Sequence, residues 1–239
     1  KWNMGWMNDF LEYMKLDPYF RKFNHNRLTF SLSYAYAENY ILVISHDEVV
    51  HLKCSMLNKM PGLEEDKFAN LKLAYAYMCG HPGKKLLFMG QEFGQWNEWS
   101  EKRQLDWYLL EDESHKELQQ FTKKCMTMYK KYPCLHETDY SPEGFRWINA
   151  NDKDNSVFSF IRISPTGKKH LLFVLNFTPV ERDNHRIGVP IKGKYKLVLG
   201  SDEQVQKKTL ETIHGECDGY SNSLLIDLPR YGISVYEFN

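Results

Sequence analysis

Near residue 133 the hydrophobic patterning of this chain changes character. Before that point short apolar runs alternate with stretches of helical period, and after it only strand-like runs appear. Two short apolar runs joined through a helix need a crossover connection, so 1–133 reads as α/β with parallel strands. Residues 134–239 read as all-β, with strand candidates at 156–163, 170–177, 195–199, 224–228 and 233–238 separated by Gly, Pro, Asn and Asp turns. An antiparallel sandwich would bury these runs.

Within 1–133 the spacing predicts a short aromatic helix over 28–37, then a strand at 40–44 in the apolar run Tyr40-Ile41-Leu42-Val43-Ile44. A helix follows over 65–78, with Phe68, Leu71, Tyr75 and Met78 on one face and His81-Pro82-Gly83 as its stop. Leu86-Leu87-Phe88-Met89 reads as a second buried strand. Ser114 and Glu117 form a capping-box pair opening a last helix that Pro133 closes. Both strands end in polar clusters, where barrel and open-sheet enzymes carry their chemistry.

The first cluster is Ser45-His46-Asp47-Glu48-Val49-Val50-His51. Dry burial of a carboxylate is costly, so Asp47 at a strand end requires water, a partner or a substrate. In a sugar-cleaving site it would stabilise positive charge at an anomeric carbon while the His46 imidazole donates to a hydroxyl. The competing reading is a polar turn in which Asp47 and Glu48 merely start a helix. His46 and His51 are five apart, unlike a zinc-peptidase pair, so no metal is expected. The second cluster, Gly90-Gln91-Glu92-Phe93-Gly94-Gln95-Trp96, is a glycine-punctuated turn with Trp99 and Trp107 close behind. Its rings suit a sugar platform, and Glu92 is either a site residue or a brace of the loop. Trp2 and Trp6 either pack beneath a site or touch a ligand.

Thirty-one basic and thirty-one acidic residues give a formal net charge of +0, which offers no electrostatic reason to expect nucleic acid or an acidic membrane surface. Five scattered cysteines without a Cys-x-x-Cys pair read as free thiols of a reducing, cytoplasmic compartment. That compartment leaves the Asn176-Phe177-Thr178 sequon unglycosylated. The chain opens at Lys1 in the core-like run Trp2-Asn3-Met4-Gly5-Trp6-Met7, from which upstream sequence is expected.

Taken together, Trp2-Asn3-Met4-Gly5-Trp6-Met7-Asn8-Asp9, Phe30-Ser31-Leu32-Ser33-Tyr34-Ala35-Tyr36, the 42–51 run through His46-Asp47-Glu48, Lys67-Phe68-Ala69-Asn70-Leu71 and the 82–93 run closely resemble the 1,4-α-glucan branching enzymes of the α-amylase superfamily. Leu228-Pro229-Arg230-Tyr231-Gly232-Ile233 resembles the close of their C-terminal domain. The resemblance implies the C-terminal part of a (β/α)8 TIM barrel, strands six to eight, over 1–133, followed by an all-β sandwich domain over 134–239. It implies an enzyme that cuts α-1,4-glucan and moves the cut segment to a 6-hydroxyl, through a retaining reaction with an Asp nucleophile, a Glu acid/base and a second Asp that stabilises the transition state. Only the last maps onto this chain, at Asp47, with His46, Glu48, Gln91 and Trp96 as substrate-binding neighbours and no cofactor. The nucleophile and acid/base belong to the fourth and fifth strands, so the isolated chain is expected to be inactive.

The partners so implied are α-glucan and, for the open barrel edge, either the missing N-terminal half or a second copy. Other readings of the same residues are a different α-amylase superfamily hydrolase or transglycosidase, or a non-catalytic glucan-binding piece. One departure stands out: the family usually carries glycine where this chain has Leu52 and Cys54. Side chains there are expected to reshape an acceptor groove.

Overall fold

The computed structural model describes residues 1–202 and 204–239. Helix α1 (Met4–Lys15) opens on Asn3, whose side chain accepts from the Trp6 amide at 2.9 Å. Its buried face carries Trp6, Phe10, Leu11 and Met14, with Trp6 stacked on Phe10, so Trp6 packs rather than faces solvent. Ahead of it Trp2 makes a parallel bridge to Ile41, framed by Asn3 N–H to Ile41 O at 2.9 Å and Ile41 N–H to Lys1 O at 2.8 Å. Two short helices follow, α2 (Pro18–Arg21) and α3 (Asn26–Thr29). The helix expected at 28–37 is therefore displaced: α3 starts earlier and a 3-10 turn, Phe30–Ser33, ends it. Ser33 Oγ bonds back to Phe30 O at 2.7 Å, a local alternative to continued helix.

Strand β1 (Ile41–Ile44), the single turn α4 (Met56–Lys59), helix α5 (Glu64–Gly80) and strand β2 (Lys84–Leu87) come next. β1 and β2 pair in parallel, Ile41 opposite Lys84 through Ile44 opposite Leu87. β2 begins two residues before the expected 86–89 run and is half-buried rather than buried. Its lysines fit because their ammonium groups find oxygen: Lys84 donates to His136 O at 2.6 Å and Lys85 to His81 O at 2.6 Å. α5 is buried almost all round from Asn70 to Gly80, not along one face. Helix α6 (Glu113–Lys131) is capped by Asp112, which accepts from Ser114 N–H at 2.8 Å, so Ser114 is not the cap. Among the described residues no helix is long and apolar enough to cross a membrane.

The second half contains β3 (Phe145–Asn149), β4 (Val157–Arg162), β5 (His170–Asn176), β6 (Arg182–Val189), β7 (Lys194–Gly200), β8 (Thr209–Glu211), β9 (Ile213–Cys217), β10 (Tyr220–Leu228) and β11 (Ile233–Phe238). Among the described residues they form an antiparallel sheet β3-β4-β5-β11-β7-β8 facing a second, β6-β10-β9. Between them lie Val174, Leu172, Ile187, Leu224, Ile226 and Tyr236. Strands β3, β6, β8 and β9 escape sequence reading because they are polar or lie at sheet edges: β6 opens Arg-Asp-Asn-His-Arg and is largely exposed there. Asn176, the sequon residue, is fully buried and donates to Val180 O and Pro229 O.

The other face of the six-stranded sheet packs on α1 and α5, and one hydrophobic core runs across both halves. Tyr13 meets Phe158 and Phe177 edge-on, and Tyr77 meets Phe160. At Gly80 an added Cβ would lie 2.8 Å from Phe160 and Phe173, so the close approach requires glycine. Polar ties cross the same seam. The fully buried Arg162 donates to Asp139 Oδ1 at 2.9 Å, Gly80 O at 2.9 Å and Gly144 O at 3.1 Å. Asp139 Oδ2 accepts from Lys84 at 3.2 Å and Tyr129 at 3.1 Å. Burial alone would raise the Asp139 carboxyl; Lys85 and Arg162 outweigh it and hold the group below its usual range. Arg21, also fully buried, donates to Phe177 O at 2.9 Å and Met14 O at 3.1 Å.

Two predictions follow from this seam. Asp139→Leu leaves the buried Arg162 charge without its carboxylate and should lower unfolding free energy by about 3–5 kcal/mol; a loss under 1 kcal/mol in urea denaturation would contradict it. The second concerns pH. Burial pushes His81 down to about 3 and His25 down to about 4. His81 bonds Pro82 O and Ser31 Oγ, while His25 stacks on Phe158 at 3.9 Å. Their folded-state values lie below the ordinary 6.5, so their contribution is complete above that pH and is lost as pH falls towards 4. Between pH 7 and 5 the unfolding free energy should drop by about 2 kcal/mol per imidazole, and a flat profile would refute the assignment.

Candidate active site

At the carboxyl end of β1 the buried Ser45 caps a 3-10 turn, His46–Glu48, and its hydroxyl accepts from Asp47 N–H at 3.3 Å. The turn closes through Val49 N–H to His46 O at 2.9 Å. It lifts both candidate side chains into solvent: the His46 and Asp47 side chains are 48% and 58% exposed, with His46 Nε2 at 3.2 Å from Asp47 Oδ1. Beyond β2, Phe88 brings its ring within 5.7 Å of the His46 ring, and Trp99 lies 6.2 Å from His46 and 5.0 Å from Phe88, edge-on. An imidazole and a carboxylate beside two aromatic rings can offer a sugar both polar contacts to hydroxyls and an apolar face. Glu48 is half-buried one residue further on.

The second cluster folds inward. Gly90 and Gly94 hold φ of 89° and 70°, the left-handed conformation that flanks its 3-10 turn, Gln91–Phe93. Gln91 is buried; its Oε1 accepts from Phe88 N–H at 3.2 Å, and its Nε2 has no protein partner. Glu92 acts as the brace, its carboxylate accepting from Gly90 N–H at 2.8 Å. Trp96 is half-buried with its ring edge-on to Phe68 and His115. The structure thus gathers His46, Asp47, Phe88 and Trp99, and among the described residues no hydrogen bond joins Gln91 or Trp96 to Asp47. Trp107 leans on Phe93 instead. A cleft of about 540 Å³ lined by Asp17, Tyr19, Asp154 and Arg230 lies at the seam between the halves and includes none of these residues.

Glu98 is a residue that sequence reasoning missed. Its carboxylate accepts from Leu52 N–H at 3.1 Å and Cys54 N–H at 2.8 Å, 46 and 44 positions away, and no local pattern announces such a contact. The Cys54 amide first, against an opposing effect of burial that ranks next, and with the Leu52 amide and His51 adding to it, holds the carboxyl below its usual range. Leu52 and Cys54 have φ of 68° and 63°, the region where glycine is free and a side chain is strained. Among the described residues no three His, Cys, Asp or Glu side chains gather as a metal-binding group.

Residues 147–239 match the family described as the α-amylase C-terminal all-β domain. Over its whole length the chain is 53% identical to the 1,4-α-glucan branching enzyme GlgB of Butyrivibrio fibrisolvens, covering 38% of that protein. It is 48% identical over 98% of its length to the GlgB enzyme of Bacillus cereus strain AH187, again 38% of the relative. Over its whole length the chain is thus similar to a part of the 1,4-α-glucan branching enzymes. It is also similar, at 46% identity over 98% of its length, to the family member of Geobacillus stearothermophilus. It spans 38% of each of these relatives. The fold is shared with an α-amylase from H. orenii, at TM-score 0.59 and 14% identity over 100% of this chain and 48% of that one. It is shared too with an acarbose-soaked debranching enzyme from Nostoc punctiforme, at TM-score 0.63 and 13% identity over 99% of this chain and 45% of that one. The sandwich thus carries the match to the α-amylase C-terminal all-β domain, over residues 147–239.

Proposed function

We propose that the full-length protein carrying this chain transfers α-1,4-glucan segments to α-1,6 positions, as its relatives' name describes, with Asp47 stabilising the transition state. The observation that carries this is the exposed Asp47 carboxylate, held 3.2 Å from His46 at the end of a parallel strand beside Phe88 and Trp99. As a glycosidic bond breaks, positive charge grows at the anomeric carbon, and a carboxylate already in place stabilises it without reorganising. His46 donates to a sugar hydroxyl, and the Phe88 and Trp99 rings orient the imidazole. Glu48, Gln91 and Trp96 complete the substrate-binding set in this reading.

In the same reading residues 1–133 are strands six to eight of a (β/α)8 barrel and 134–239 a separate sandwich domain. Support comes from the order Trp2, β1, β2, parallel throughout and joined by helices, with the chemistry at the carboxyl ends. In this reading the nucleophile and acid/base come from upstream barrel sequence, and either that sequence or a second copy covers the open edge. Cytoplasmic residence fits five unpaired cysteines.

In the full-length protein Asp47→Asn keeps size and most hydrogen bonding while removing charge, and should lower turnover on amylose by about 10²-fold or more with unchanged folding. Branching is read by debranching and chain-length analysis; near-normal turnover removes Asp47 from the role, and new reducing ends without new branches make the enzyme a hydrolase. The 239-residue chain purified alone should leave amylose unchanged, because retaining transfer needs two carboxyl groups about 5–5.5 Å apart. Turnover above an Asp47→Asn control would overturn that expectation.

A further inference from the structure

Leu52 is 85% exposed and held at φ 68°, where a branched apolar residue is strained, and Cys54 two positions on repeats the conformation at φ 63°. Neither burial nor backbone preference explains this arrangement, because glycine would relieve the strain and water gains nothing from the leucine. The segment keeps its shape because charge grips it from both sides. Its amides face the Glu98 carboxylate, Oε2 accepting from Leu52 N–H at 3.1 Å and Oε1 from Cys54 N–H at 2.8 Å. Its carbonyls face the Lys59 ammonium, which donates to Cys54 O at 3.0 Å and to Lys53 O. Lys59 is itself buried at the end of α4, so the grip is anchored on its lysine side while the Glu98 bonds lie at the surface. Charge-assisted bonds of this kind are the stronger ones available to a loop.

The clamp is continuous with the candidate active site. Trp99, the next residue after Glu98, places its ring against His46 and donates its amide to Val49 O at 2.8 Å. The same dipeptide therefore braces the turn carrying Asp47 and the segment displaying Leu52, a few residues apart in the chain. We infer that Glu98 and Lys59 are positioning residues that clamp residues 52–54 in this conformation, and that the Leu52 side chain they display is a specificity-determining contact for the glucan engaged beside Asp47. This rests on the glucan reading of the site. The Leu52 methyl groups offer the apolar face of a glucosyl ring a contact that glycine lacks, so the clamped loop selects among chains by how they lie past Asp47.

The test uses the full-length protein with Leu52→Gly, Glu98→Gln and Glu98→Ala, and reads two things separately. Trypsin cleavage after Lys53 in the native state reports the clamp without reference to activity. Glu98→Ala should speed it by about 10-fold or more as local opening becomes easier, and Glu98→Gln, which keeps an acceptor oxygen, should restore part of the protection. On amylose, Leu52→Gly should raise KM by about 3- to 10-fold and shift the lengths of transferred chains while kcat stays within about 2-fold, the split expected when binding common to ground and transition states is lost. Unchanged cleavage in Glu98→Ala overturns the clamp. Unchanged KM and chain lengths in Leu52→Gly overturn its role in specificity. A parent protein that binds glucan but makes no branches refutes the branching reading, while the cleavage and glucan-affinity comparisons still decide the inference.

Discussion

Arg162 is buried completely, and a guanidinium has donors in a fixed planar fork that must all face oxygen in a dry interior. Those oxygens come from segments that are distant in sequence: Gly80 O at the end of α5, Asp139 after α6 and Gly144 O before β3. The fork is satisfied only when the helical half and the sandwich are docked in one orientation. Asp139 in turn reaches Lys84 at the start of β2, so the first strand residue opposite Ile41 is tied to the same buried network. With Phe160 and Phe173 packed against Gly80, the seam allows little sliding or rotation.

The site inherits its geometry from that anchoring through short links. β2 is held by Lys84 and Lys85 and pairs with β1, and β1 ends in the Ser45-capped turn that presents His46 and Asp47. Residues after β2 return to the same turn: Phe88 and Trp99 against His46, and Trp99 N–H on Val49 O. Rigid strands thus set the position of exposed polar groups, while the loops beside them carry the strain at Leu52 and Cys54.

The apolar strands β1, β4, β5 and β11 were legible because burial forces a run or an alternation on their residues, and α5 and α6 because their stop signals, His81-Pro82-Gly83 and Pro133, are local, whereas the cap of α6 and the all-round burial of α5 were not. Strand β2 was misplaced by two residues because its lysines look like turn residues until His136, His81 and Asp139 are brought to them. Strand β6 was missed because hydrogen bonding to β10, not hydrophobicity, holds its polar first half. Among the candidate site residues, His46 and Asp47 drew notice since a carboxylate at the end of an apolar strand demands an explanation. Gln91 and Trp96 shared their motif with the glycines of a turn, and the turn directs Gln91 inward and Trp96 onto Phe68 and His115.

The amino-acid sequence alone determined the change from α/β to all-β near residue 133, the likeness to the branching-enzyme family and the pairing of His46 with Asp47, all of which are written in neighbouring residues. Tertiary structure decided what depends on groups far apart in the chain. It made one continuous core of the two halves, turned Trp6 and Gln91 inward, and brought the Glu98 carboxylate to the amides of Leu52 and Cys54. The physical reason is that hydrophobic period and capping act within a turn or two of the backbone, whereas a buried charge or a strained loop is satisfied by whichever partner the fold delivers.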